Sequence, residues 1–66
     1  MKARVKYKFP IEITKEDSTI VELPMENQTV EIIETDGNSC ECRTVDFPWK
    51  GTFFIGKCNL EIIEDT

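Results

Sequence analysis

The chain has 66 residues and a mass of 7.6 kDa, with 13 acids against 8 bases and no histidine. That length allows one small domain, and without a run of about 18 apolar residues a helical membrane span is excluded. Charged residues at 32% and hydrophobic ones at 39% suit a globular domain rather than a disordered tail.

The charge is unevenly spread. Lys2, Arg4, Lys6 and Lys8 open the chain, while the remainder holds four bases and all 13 acids, a net −9. With a pI near 4.6, direct binding to nucleic acid is not expected, because that rests on neutralising phosphates with Lys and Arg. Anionic membrane surfaces are disfavoured for the same reason. Proteins, cations and basic partners stay open. The basic opening lacks an apolar stretch and a cleavage site, so it does not read as a signal peptide, and a cytoplasmic location is expected.

In chain order, Lys2 to Phe9 alternates bases at even positions with Ala3, Val5, Tyr7 and Phe9 at odd ones. A period of two predicts a half-buried strand with one basic, solvated face. Ile11 and Ile13 continue the apolar set beyond Pro10. Thr14 to Ser18 reads as a loop, Thr19 to Leu23 as a short strand, and Pro24 to Gln28 as a second connection. Thr29 to Thr35 is the strongest strand by composition. A helix from Pro24 to Glu34 competes with it, since proline suits a first helical position. The β-branched residues argue for the strand.

Asp36-Gly37-Asn38 is a hairpin turn signal, and Ser39 to Val45 returns as a strand. Asp46 to Gly51 is a loop. Thr52 to Ile55 reads as a buried strand, Gly56 as a bulge or bend, and Asn59 to Glu64 as the last strand. The first strand is a basic ladder, and the last carries Glu61, Glu64 and Asp65. Antiparallel pairing between them would set opposite charges across from each other, at about 0.2–1 kcal/mol per pair. It would also close a barrel and hide two edges. Glu-Ile-Ile-Glu occurs at 31–34 and again at 61–64, which reads as two strands in similar environments.

Five or six short, mostly antiparallel strands with frequent turn signals predict an all-β domain, a small barrel or sandwich. From about residue 19 to 64 the order of these strands and the Gly51-flanked loop resembles an SH3-like barrel. That resemblance implies an interaction module that binds peptides, proteins or nucleic acid.

Cys40 and Cys42 share one strand face, and Cys58 follows on a neighbouring strand. A loop centred on Trp49 would set Cys40 opposite Cys58, and a one-residue slip would set it opposite Lys57 instead. Three small buried thiols are the first reading. A Cys40–Cys58 or Cys42–Cys58 disulfide and a zinc site completed by Asp36 or Asp46 are the alternatives. Catalysis is not expected: without histidine a cysteine or serine nucleophile lacks its commonest base, and no phosphate loop is present. No cofactor is expected.

The expected function is a non-enzymatic, protein-binding module, an accessory protein of a bacterium or phage that masks a partner's surface. Phe47, Trp49 and Lys50 are its candidate contacts, with Trp49 either a hot spot on a rigid loop or a lid on the core. A second possibility is a nucleic-acid mimic whose Glu31, Glu34, Glu61 and Glu64 imitate phosphates. The third is an oligomer that sequesters a small anion along Lys2, Arg4, Lys6 and Lys8.

Overall fold

The structure is a computed structural model that describes residues 1–64, with Glu64 described by its backbone alone. Seven strands form one sheet: β1 Lys2–Val5, β2 Pro10–Lys15, β3 Ile20–Pro24, β4 Thr29–Asp36, β5 Ser39–Thr44, β6 Gly51–Gly56 and β7 Leu60–Glu64. Their order is β3-β2-β6-β5-β4-β1-β7, and every neighbouring pair is antiparallel. The only helical element among the described residues is a 3-10 turn at Lys57–Asn59. The fold is therefore all-β, as the alternation predicts.

Alternation gives the sheet one apolar face. Ala3 and Val5, Ile11 and Ile13, Val30, Cys40 and Cys42, and Phe53 and Ile55 are all buried on it. Seven strands at about 4.8 Å spacing would lie flat only as a single layer with that face in water. The molecule instead measures 28 × 24 × 22 Å, so the sheet curls around its own apolar face. Chain length demands the same thing. β1 and β2 stand four places apart in the sheet, about 19 Å if flat. Lys6 to Phe9 must join them, with a reach of about 17 Å. Met25 plugs the core from the connection between β3 and β4, 1% exposed. An unbranched, adaptable side chain suits that position.

The curl does not close. β1 pairs with β7, so the expected pairing of first and last strands is present, with Arg4 opposite Glu61. However, β4 occupies the other side of β1, which leaves β7 and β3 as the two edges. An open sheet of seven strands thus stands where a closed SH3-like barrel of five or six is expected. The added strand comes from the opening segment, which is not one strand. β1 ends at Val5, whose carbonyl accepts from Asn27 N–H at 2.8 Å. β2 then begins at Pro10, opposite Pro24. Two residues without N–H groups meet at that ladder end, where no donor is required.

The two Glu-Ile-Ile-Glu strings share a geometry. Their glutamates are three apart, so strict alternation would put them on opposite faces. In β4 the register shifts between Ile32 and Glu34. In β7 it shifts so that Ala3 faces Ile62 and Lys2 faces Glu64. In each string the second isoleucine, Ile33 or Ile63, is the extra residue of a β-bulge. Both are exposed, while Ile32 faces inward opposite Cys42.

Tight turns close the remaining connections. Gly37 has φ +64 in the β4–β5 turn, as do Ser18 (71) and Asn27 (67) in theirs. Asp17 accepts from Thr19 N–H at 3.0 Å, and the Thr19 hydroxyl together with this backbone bond holds its carboxyl below its ordinary value.

Candidate functional site: the outer face of the sheet

Ion pairing divides the outer face. Lys2 and Arg4 lie on β1, while Lys6 and Lys8 belong to the connection beyond it. Arg4 donates to Glu61 at 3.2 Å, and the Lys6 ammonium stands 3.9 Å from the same carboxylate. The Lys8 ammonium lies 5.8 Å from the Phe9 ring centre. Arg43 donates to Glu31, whose carboxyl is held below its ordinary value by that bond and charge. Of the four acids considered as phosphate mimics, Glu31 and Glu61 are therefore neutralised by bases of the same chain. Glu34 lies two strands from Glu61, and the Glu64 side chain and Asp65 lie outside the described residues. Half of the basic stripe is likewise turned to Glu61, which leaves less of it for an anion.

The loop between β5 and β6 is fastened from several sides. Trp49 is half-buried, and its ring packs edge-on against Phe47 with centroids 5.1 Å apart. The Lys15 ammonium stands 5.1 Å from the Trp49 ring centre. Beneath the ring is Gly51, where a Cβ would lie 2.5 Å from Ile13 Cγ2 and 2.7 Å from Trp49 Cζ3. Only glycine permits this approach. Thr44, 4% exposed, donates from its hydroxyl to the Trp49 carbonyl at 3.2 Å and accepts from Gly51 N–H at 3.0 Å. Lys50 N–H donates to Glu16 at 3.2 Å, while its side chain is exposed. Phe47 and Trp49 pack against the core, and Trp49 covers Gly51. An open groove of about 430 Å³ runs beside the loop, with Glu31, Arg43 and Lys50 on its walls.

The thiols are not three of a kind. Cys40 and Cys42 are buried, as their shared face predicts, but Cys58 is exposed in the 3-10 turn. The β5–β6 loop is centred between Phe47 and Pro48 rather than on Trp49, so Cys40 faces Ile55 and Cys42 faces Phe53. The expected register of Cys40 against Cys58 is thus corrected, and all three are free thiols. Among the described residues no three metal-ligating side chains gather, and neither Asp36 nor Asp46 completes a set with the cysteines. Burial pushes the Cys42 thiol up to about 12, with Cys40 and Glu41 adding to the shift.

The most exposed large apolar side chain is Phe54, at 70%. The segment from Thr52 to Ile55 is therefore not buried throughout. Phe53 faces the core and Phe54 faces out, as adjacent residues of a strand must. Phe54 stands directly opposite Glu41, and Glu41 stands directly opposite Glu34 on the next strand. Beyond β6 the outward residues Glu12 and Glu22 are again a directly opposed pair. Among the described residues none of these four glutamates forms an ion pair. Two hollows border Phe54. One, of about 340 Å³, is lined by Glu34, Asp36, Ser39 and Glu41. The other, of about 300 Å³, is lined by Tyr7, Pro10, Ile11, Ile55, Gly56 and Asn59.

Sequence reasoning passed over Phe54. The signal that finds it is the Phe53-Phe54 pair itself, since a period of two sends one of the two rings to the surface. Comparison with protein-family models, curated proteins and solved structures finds no match to this chain.

Proposed function

We propose that this protein is a small, acidic, non-enzymatic binding module that masks a surface of a partner protein. Its contact is centred on Phe54. A largely exposed aromatic ring on β6, paired with β5 at Glu41 and bordered by two hollows, carries this reading. A phenyl ring offers large apolar area with little side-chain entropy to lose. The open sheet leaves an outer face that a peptide or protein can cover.

The loop of Phe47, Trp49 and Lys50 fits the role of a lid better than that of a contact, because its rings already pack on the core. The nucleic-acid mimic has less support, since Glu31 and Glu61 are paired with bases. The experiment places a photo-crosslinking amino acid at position 54 and, separately, at exposed Ser18 on the far turn. Crosslinking to one discrete protein in extracts of the native cells, from position 54 and not 18, supports the reading. The Trp49→Ala variant, where folded, should retain that partner and Phe54→Ala should lose it. Crosslinks to nucleic acid, or equal yields from both positions, overturn the reading.

A further inference from the structure

We infer that the partner offers Phe54 an extended segment in which a lysine or arginine stands two residues from an apolar side chain. This rests on the protein-binding reading above and names its chemistry. The base lies over the Phe54 ring toward Glu34 and Glu41, and the apolar side chain enters the hollow at Tyr7, Pro10 and Ile11.

Charge complementarity selects this occupant. Glu34 and Glu41 are directly opposed across β4 and β5, an arrangement that destabilises a sheet. Three nearby bases are committed elsewhere: Arg43 of β5 to Glu31, and Arg4 of β1 and Lys6 beyond it to Glu61. A purely apolar partner would strip water from two carboxylates without replacing it. A nucleic acid or an acidic peptide would meet like charge. A second copy, with a net charge of −5, would bring the same glutamates against themselves in a two-fold contact. A cationic side chain meets all the groups at once. It is attracted by the face of the Phe54 ring and makes charge-assisted hydrogen bonds to the two carboxylates.

The second hollow sets the neighbour. Its side-chain walls are Tyr7, Pro10, Ile11, Phe54 and Ile55, with Gly56 and the polar Asn59 at one side, so an apolar group finds ring and aliphatic carbon to pack on there. Both hollows share Phe54 as a wall. Side chains at i and i+2 of an extended chain point the same way, about 6.8 Å apart, and straddle one aromatic ring.

The test pans a random twelve-residue peptide display library on the intact chain, with Phe54→Ala and the double variant Glu34→Gln, Glu41→Gln as counter-targets. All three proteins are checked for β-sheet circular dichroism. The expected enrichment is Lys or Arg spaced two residues from an aliphatic or aromatic residue. Synthetic peptides from the selection should weaken by roughly tenfold or more on each variant. They should also weaken steeply as sodium chloride rises. Enriched peptides without a base, or with equal affinity for both folded variants, overturn the inference. So does self-association of the chain that disappears in Phe54→Ala, because it would give the face to a second copy. If the library yields nothing while position 54 still crosslinks one protein, the basic segment is refuted and the masking role stands. If crosslinking fails as well, both fall.

Discussion

Thr44→Val tests how the β5–β6 loop is held. Thr44 is the one buried polar side chain among the described residues, and its hydroxyl serves two backbone groups. It donates to the Trp49 carbonyl and accepts from the N–H of Gly51, itself buried. Valine matches threonine in shape and opens no cavity, so the change isolates the hydroxyl. The Trp49 carbonyl lies at the half-buried part of the loop, where water can replace the lost donor. The Gly51 N–H cannot be reached as easily. An orphaned buried donor costs about 1–3 kcal/mol, and we expect about 2 kcal/mol here. Thr44→Ser keeps the hydroxyl and loses one buried methyl, for about 1 kcal/mol. A domain this small has about 3–5 kcal/mol in total, so Thr44→Val should remove near half of it. Urea unfolding followed by Trp49 fluorescence and circular dichroism reads the effect. With a slope of about 1 kcal/mol per molar, the midpoint should fall by about 2 M. The native fluorescence should shift to the red as the loop loosens. A valine variant as stable as wild type, or more stable than the serine variant, would refute the reasoning.

The thiols should separate by rate under native alkylation with iodoacetamide. Mass spectrometry should find Cys58 modified first, with Cys40 and Cys42 protected until the domain opens; equal rates at all three would contradict their placement. Deleting residues 1–8 should unfold the chain, because β1 lies between β4 and β7 and carries buried Ala3 and Val5. A truncated form with an unchanged melting temperature would make the first strand an appendage. Glu31, with its carboxyl held below the usual value of 4.5 by Arg43, contributes stability at pH above that value. The contribution is lost as pH falls through the depressed value. Stability of wild type should therefore exceed that of Glu31→Gln near neutrality, and the two should converge in acid; a constant gap across the titration would remove Arg43 from the account.

Much of the fold was legible because alternation is a direct record of burial. Ala3 and Val5, Ile11 and Ile13, and Cys40 and Cys42 each follow period two, and each pair is buried. Asp36-Gly37-Asn38 announces its turn through a residue that tolerates positive φ. Topology was less legible, because strand order depends on which edges meet after the sheet curls. Nothing local tells the opening segment to leave the sheet at Lys6 and re-enter at Pro10. Register across β5 and β6 failed by the placement of one loop centre, and that error set Cys58 among the buried thiols when it lies at the surface. Met25 was missed because a residue in a connection has no period to betray it. The aromatic loop drew attention through Trp49, since rigid, aromatic loops are common contacts. Here the ring fills the space over Gly51, and its burial follows from contacts no local pattern encodes.

The bulges and the charges can be read together. In each Glu-Ile-Ile-Glu string the second isoleucine lies outside the ladder, and in β4 this keeps Glu31 and Glu34 together on the outer face. In β7 this also distorts an edge that would otherwise invite another strand. In β4 the bulge has a further consequence. Without it, Glu34 would turn toward the core face, and Glu41 would have no opposing carboxylate. The bulge therefore creates the Glu34–Glu41 confrontation beside Phe54. At the other end of the same strand, Glu31 meets Arg43 in an arrangement that stabilises the sheet. Folding alone is served by the second arrangement and opposed by the first. A chain with only eight bases gathers Lys2, Arg4, Lys6 and Arg43 around one half of its outer face. The half around Phe54 keeps unneutralised carboxylates. That uneven distribution weakens the isolated sheet by the like-charge cost. It is offset when a cation arrives from outside, so binding of a basic segment at Phe54 should stabilise the domain more than its contact area alone would give.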